Sequence, residues 1–175
     1  MLQLLLVVLV ALATPALAEE TYKKPPQVIL DVLNAQVPPQ TSVSPSRDHM
    51  VLANQLSYPP ISDLAQPMLR LAGLRINPNT NGPHRATYFV ALTIKKIADG
   101  SEIKLATPTG AKLSMPRWSP DGKSFAFTNR IGNGIELWIG ETGSGKIRKI
   151  PGALINSVFG EPVEWVDNAK LVVQL

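Results

Sequence analysis

Cysteine is absent from the 175 residues, and histidine occurs twice, as His49 and His84. Without cysteine there is no disulfide, no thiolate metal site and no lipid anchor on a processed N-terminal cysteine. Such a chain must hold itself together by packing. Charge is also sparse: 17% of residues are charged, the net charge is +4, and the densest basic run is Lys146 to Lys149. No basic stripe or recognition motif accompanies it, so nucleic acid is not expected as a partner. Long helical patterns are missing, because 16 prolines and 12 glycines interrupt the chain at short intervals. A hydrophobic content of 45% still marks a folding chain, of a length that suits one ordinary core.

The longest apolar run is N-terminal. Leu4 to Ala13 is apolar, Thr14-Pro15 breaks the run, and Ala16-Leu17-Ala18 forms a small-x-small site before Glu19-Glu20. Residues 1–18 therefore read as a secretory signal peptide cut after Ala18, although no Lys or Arg precedes its core. The run is too short for the roughly 20 residues of a membrane span. The expectation is an exported protein, periplasmic or secreted, with no membrane association after cleavage. Residues 19–40 read as a proline-rich arm, with two Pro pairs around Val28–Leu33, a piece that suits a helical turn or an extended segment.

From Thr41 onward the patterns are those of hairpins. "TYFVALTIKKI", starting at Thr87, reads as a strand, Asp99-Gly100 as its turn and "SEIKLATP" as the returning partner. In "RWSPDGKSFAFTNR", Pro120 suits the second position of a type I turn and Gly122 the left-handed position after it. Phe125 and Phe127 then face one way, Ala126 and Thr128 the other. "GIELWIGE", the tight turn "TGSG" and "KIRKIP" continue the series. Residues 56–86 are irregular: Ile61 to Leu74 has room for a short helix with Ile61, Leu64, Ala65 and Met68 on one face, and "NPNTNGP" reads as loop.

The hairpin repeats. Val43-Ser44-Pro45 aligns without gaps on Trp118-Ser119-Pro120, 75 positions later, and Met50-Val51-Leu52 on Phe125-Ala126-Phe127. Trp165 follows Trp118 by 47 positions, with Leu171-Val172-Val173 in the place of the Phe125 strand. A period of about 40 to 50 residues with four short strands is the mark of a β-propeller blade. Blades cover one another, which accounts for strands that are apolar on both faces. The fold class expected is thus all-β: a partial β-propeller of two to three four-stranded antiparallel blades over residues 41–175, with an insertion at 56–86. Closed propellers have typically four to eight blades. The chain therefore reads as the N-terminal piece of a longer protein.

"WSPDGKSFAFTNRIGNGIELWIGETGSGKIRKIPG" resembles the propeller repeat shared by TolB-type proteins and the prolyl oligopeptidase family of serine peptidases. "PPQVILDVLNA", "YPPISDLAQPMLRLAGLRINPNTNGPHR" and "LINSVFGEPVEW" are more specific. They are similar to the N-terminal region of exported members of that family that resemble glutamyl endopeptidase. The resemblance implies a propeller that gates peptide access to a C-terminal α/β-hydrolase domain with a Ser-His-Asp triad. The partners implied are peptide substrates, the remaining blades and that hydrolase domain. The alternative reading is a non-catalytic, TolB-like periplasmic propeller that scaffolds other proteins.

No catalytic residue is assigned in this chain: G-x-S-x-G is absent, and His49 and His84 read as structural. The isolated chain is expected to be inactive. "GETGSGKI" almost matches a phosphate-binding loop, but Ile147 stands where a hydroxyl should hold magnesium, and a strand pattern follows in place of a helix. Trp118 and Trp165 read as blade core. Asp99, Asp121 and Asp167 read as turn formers with no metal-ligand spacing. No cofactor or metal is expected. For substrate binding, the resemblance offers Arg70, Arg75 and Arg85 in the insertion as charges that could neutralise an acidic side chain.

Overall fold

The computed structural model describes residues 23–175, so the signal-peptide reading of residues 1–18 lies outside the described residues. Helix α1 (Gln27–Leu33) starts after Pro26, whose φ of −52° is fixed in advance by its ring. Gln27 Nε2 donates to Asp31 Oδ1 one turn on (2.7 Å). This helix belongs to the part of the chain ending at Ala35, and Gln36–Leu175 forms a separate compact unit. Among the described residues no helix is long and apolar enough to cross a membrane.

The unit from Gln36 is built of antiparallel sheets. Strands β1 (Gln40–Val43), β2 (His49–Gln55), β6 (Phe89–Lys96) and β7 (Glu102–Lys104) form the first, in that order. Strands β8 (Arg117–Trp118), β9 (Ser124–Ile131), β10 (Gly134–Glu141) and β11 (Ile147–Leu154) form the second as a simple meander. Strands β12 (Val163–Trp165) and β13 (Leu171–Val173) make a third, two-stranded sheet. The architecture is all-β, a partial propeller with two four-stranded blades and two strands beside them.

The repeat is visible strand by strand. His49, which opens β2, precedes Ser124, which opens β9, by 75 positions; Phe89, which opens β6, precedes Gly134, which opens β10, by 45. The difference of 30 positions falls between β2 and β6, where the first sheet is interrupted and the second is not.

The turns repeat as well. Arg47 N donates to Ser44 O at 2.9 Å, and Gly122 N to Ser119 O at the same distance. Gly122 has φ +70°, the left-handed conformation its residue type suits, whereas Arg47 occupies the equivalent place at φ +59°. There is little room at Gly122: an added Cβ would lie 2.7 Å from Ser46 Oγ in the neighbouring turn.

Two apolar cores lie on opposite sides of the second blade. On one side Val51, Leu92 and Ile94 of the first sheet meet Phe125 and Phe127, with Trp118 and Trp138 packed at the edge. The rings form a run: Trp118 to Phe125 at 5.6 Å edge-on, Phe125 to Phe127 at 6.1 Å and Phe127 to Trp138 at 6.2 Å. Gly140 faces Phe125 across the ladder, and any side chain there would collide with that ring. On the other side Ala126, Ile135 and Leu137 meet Ile155 and Val163, with Trp165, Leu171 and Val173 packed alongside. The alternation of β9 thus feeds two cores, as successive side chains on a strand must. Leu113, fully buried, joins the blades by pairing with both Phe89 and Asn129.

Trp118 and Trp165 are half-buried against these cores, and each carries a second duty. Trp118 Nε1 donates to Ser42 Oγ in β1 (2.9 Å), and Trp165 Nε1 donates to Arg117 O in β8 (2.9 Å). Ser42 and Arg117 are 75 positions apart, like the turns, so an indole bond to the same repeat position recurs between successive sheets, once to a side-chain hydroxyl and once to a backbone carbonyl.

Residues 56–86 hold the short helix for which the sequence left room and, beyond it, more strand than their irregular pattern suggests. Helix α2 (Ile61–Leu64) is only four residues long, Ile61 is 82% exposed, and the apolar face expected through Met68 does not form. The chain instead turns into a small sheet of β3 (Leu69–Leu71), β4 (Leu74–Asn77) and β5 (Gly82–Pro83). Ala72 (φ +46°) and Gly73 (φ +87°) make its two-residue turn, which requires positive φ at both positions. "NPNTNGP" is therefore partly strand: Asn77 pairs with Gly82, and Asn77 O accepts from Thr80 N and Asn81 N in the turn between them.

Candidate functional site

The same ends of β2, β6 and β9 come together beside α2 and the Thr80–Tyr88 segment. Between them lies a cleft of about 450 Å³, lined among others by Leu56, Asp63, His84, Arg85, Lys112 and Arg130.

Its centre is the Asp63 carboxylate. Lys112 Nζ donates to Oδ1 (2.5 Å) and Tyr88 Oη to Oδ2 (2.9 Å). Burial alone would push this carboxyl up. The bonds from Lys112 and Tyr88 and the nearby charges of Lys112 and Arg130 outweigh it and hold Asp63 below the usual carboxylate range. Burial, and then the bond to Asp63, push the Tyr88 phenol above its ordinary value. Both neighbouring cations lie over the Tyr88 ring, Lys112 Nζ at 5.4 Å and Arg130 at 5.6 Å from its centre.

Arg130 stands differently. It donates to Ala86 O (3.0 Å) and, among the described residues, forms no ion pair within 4 Å. A guanidinium has five N–H groups, so donors remain. Desolvation pulls its pKa down, opposed by the charges of Asp63 and Tyr88. The cleft thus combines three cations, Arg85, Lys112 and Arg130, with one carboxylate already saturated by its own neighbours.

Two of the lining residues each hold a buried polar atom without a protein partner, His84 Nδ1 and Thr80 Oγ1. His84 is only 6% exposed, and its Nε2 lies 2.8 Å from Gln66 O. A carbonyl only accepts, so Nε2 carries a hydrogen. His84 serves to tie the β5 end of the insertion to the residues after α2. His49 opens β2 at the end away from the cleft, its Nδ1 3.1 Å from Asp48 Oδ1 but not aligned for a hydrogen bond.

Of the three arginines singled out in the sequence, the structure places only Arg85 in the cleft lining. Arg70 and Arg75 are exposed and face each other across the β3–β4 ladder. Lys112, Arg130, Asp63 and Tyr88 escaped sequence reasoning. One signal was available: Arg130 falls, 75 positions on, at the place of Gln55, so a charge replaces a neutral residue at the end of an otherwise apolar repeat strand.

The segment that imitates a phosphate loop is the β10–β11 turn. Gly145 has φ +67° there, and β11, not a helix, follows. Among the described residues no group of three or more His, Asp or Glu is placed to hold a metal ion.

No family model matches the chain. It is similar to two curated plant proteins. With a protein of Oryza sativa subsp. japonica named "Probable glutamyl endopeptidase, chloroplastic" it shares 32% identity over 166 residues. With one of the same name from Arabidopsis thaliana it shares 31% over 165. Each match covers 87% of this chain but only 18% and 17% of the relative. Among solved structures, an acylaminoacyl peptidase of Pyrococcus horikoshii matches 77% of this chain and 16% of its own, with 18% identity and a TM-score of 0.42. That likeness is too slight to add to the sequence matches. Those matches support the resemblance to the glutamyl endopeptidase branch of the prolyl oligopeptidase family, over a stretch that spans less than a fifth of each relative.

Proposed function

We propose that this chain supplies the first blades of the propeller of an exported serine peptidase. In that reading the propeller gates peptide access to a C-terminal α/β-hydrolase domain. One observation carries the proposal: similarity to proteins named glutamyl endopeptidase runs over 87% of the chain, insertion included. The blades alone would suit many propellers. The insertion is the part a generic scaffold does not need, and it builds one wall of the charged cleft.

The gating role follows from size. A blade sheet is rigid, and a ring of blades admits extended peptides while excluding folded domains. The chemistry itself would reside in the hydrolase domain, with serine as nucleophile, histidine as base and backbone amides for the oxyanion.

The test is to express the reading frame through any downstream G-x-S-x-G segment and assay it on a Glu-containing fluorogenic peptide and on folded casein-sized substrates. The expectation is hydrolysis of the peptide, lost when the nucleophilic serine becomes alanine, and greatly slowed cleavage of folded substrates. A frame that completes a ring of blades and stops would overturn the proposal in favour of a scaffold.

A further inference from the structure

We infer that Leu56–Met68 is a movable strap along one wall of the cleft, held shut by the carboxylate of Asp63 and free to swing open when that carboxylate lets go. The inference does not rest on the peptidase reading.

Exposure points to it first. From Leu56 to Gly73 every residue is exposed except Asp63, whose side chain is 17% accessible. Both ends of this span are fixed. Gln55 closes β2 in its ladder with β6. Past the span Asn77, Thr80 and His84 are buried, and Asn81 O accepts from Ser157 N. Gly82 lies so close to Ile135 that an added Cβ would be 2.7 Å from its Cδ1. The insertion is thus anchored where it leaves the blade and where it returns, and loose between.

A segment is held by apolar burial, by backbone pairing or by polar ties. Leu56, Ile61, Leu64 and Met68 are all exposed and belong to neither core, so burial contributes little. The backbone bonds of α2 are local, Asp63 N to Pro60 O and Ala65 N to Ile61 O. Pro59-Pro60 and Pro67 bracket the helix and have no N–H to pair with anything else. Among the described residues two hydrogen-bonded ties to the rest of the unit remain. One is Asp63, accepting from Lys112 and Tyr88; the other is Gln66 O, accepting from His84 Nε2. The first is the stronger, because its acceptor is charged. A tie made by one carboxylate also fails as a whole: when Asp63 withdraws, both bonds go together and the Gln66 carbonyl alone restrains α2. Leu56, Pro59, Asp63 and Leu64 line the cleft, so outward movement of the strap widens it. Local opening of this kind is expected of segments with few buried contacts.

The experiment is limited chymotrypsin digestion of the full chain in native buffer, with the cut sites read by mass spectrometry. Leu64–Ala65 reports the strap, and Phe125–Ala126 and Phe127–Thr128, inside the fully buried stretch of β9, report the blades. In the wild type the strap should be cut slowly, yet well before β9. Lys112→Gln, which leaves the cleaved sequence untouched, should speed the strap cut at least about tenfold, and Asp63→Asn should do the same. Tyr88→Phe, which removes one bond and keeps the ring, should speed it several-fold. Below the unfolding transition the wild-type rate should hardly respond to urea, because opening the strap exposes little surface. Strap cutting at the wild-type rate in both Lys112→Gln and Asp63→Asn would overturn the inference. So would wild-type cutting as fast as that of a free peptide of the same sequence, which would mean that the strap is never shut. Cuts in β9 as fast as the strap cut, or a strap cut that follows global unfolding in urea, would make Asp63 a brace of the whole unit and sink the movable strap.

Discussion

The two four-stranded blades share a hairpin and a turn but differ in what covers them. The β8–β11 sheet is packed on both faces: Phe125 and Phe127 face one core, Ala126, Ile135 and Leu137 the other. The sheet of β1, β2, β6 and β7 buries one face, with Val51, Ala53, Leu92 and Ile94. Its opposite face pairs Met50 with Lys95 and Leu52 with Thr93, all half-buried, and leaves Val43 50% exposed. The same strand pattern therefore yields different stability according to its neighbours, as expected of units that bury their surfaces only by stacking.

The sharpest way to break this comparison is to hollow out each blade in turn. Phe125→Ala should destabilise the chain by about 3–5 kcal/mol in urea unfolding, because a fully buried ring leaves a cavity. Leu52→Ala on the less covered face should cost about 1–2 kcal/mol. Equal losses at the two sites would show that the faces are equally covered.

Next in size is Glu136 in β10, buried and bonded by Asn129 Nδ2 (3.2 Å), Trp138 Nε1 (3.1 Å) and Lys149 Nζ (2.6 Å). Burial would raise its pKa, but the Lys149, Trp138 and Asn129 bonds prevail and hold it below the ordinary value. Glu136→Gln should cost about 2 kcal/mol. The sign with pH follows. Groups whose folded pKa is depressed, here Glu136 and Asp63, stabilise above their unfolded values near about 4 and lose that contribution as pH falls further. The melting temperature should drop between about pH 5 and 3, and the double variant Glu136→Gln, Asp63→Asn should flatten that slope.

Trp118→Phe and Trp165→Phe test whether the indole bond is one device used twice. Each should cost about 1 kcal/mol, and the two values should agree within about 0.5 kcal/mol. Smallest is a gain. Arg47 carries the left-handed φ that Gly122 carries in the second blade, so Arg47→Gly should stabilise by up to about 1 kcal/mol, and Gly122→Ala should do the reverse.

These contrasts also explain what was legible in the sequence. The second blade was readable because its strands alternate cleanly and Ser119–Gly122 has strong turn chemistry. In the first, the strand from Thr87 and its Asp99-Gly100 turn were equally plain, and only the β1–β2 hairpin was fainter, because Arg47 stands where the turn glycine would be. The β3–β5 sheet was hidden for a similar reason: Ala72 adopts a left-handed φ without being Gly or Asn, and β5 contains Pro83, a residue that argues against strand. The cleft was the least visible part. Asp63 and Lys112 meet across 49 positions of chain, and no local spacing reports such a meeting. Arg85 was named through a resemblance, whereas Arg130, which lines the same cleft, carries no signal in its neighbours along the chain.

The recurring indole bond gives the array a direction. Trp118 and Trp165 each donate to the first strand of the sheet before their own, so Trp165 reaches Arg117, Trp118 reaches Ser42, and Glu164 stands at the next position of the acceptor series. Units joined head to tail present unlike surfaces front and back. They cannot pair symmetrically by twos, and their contacts end only when rotation brings the last front to the first back. The orientation of a single N–H group thereby favours a closed circle over a stacked pair.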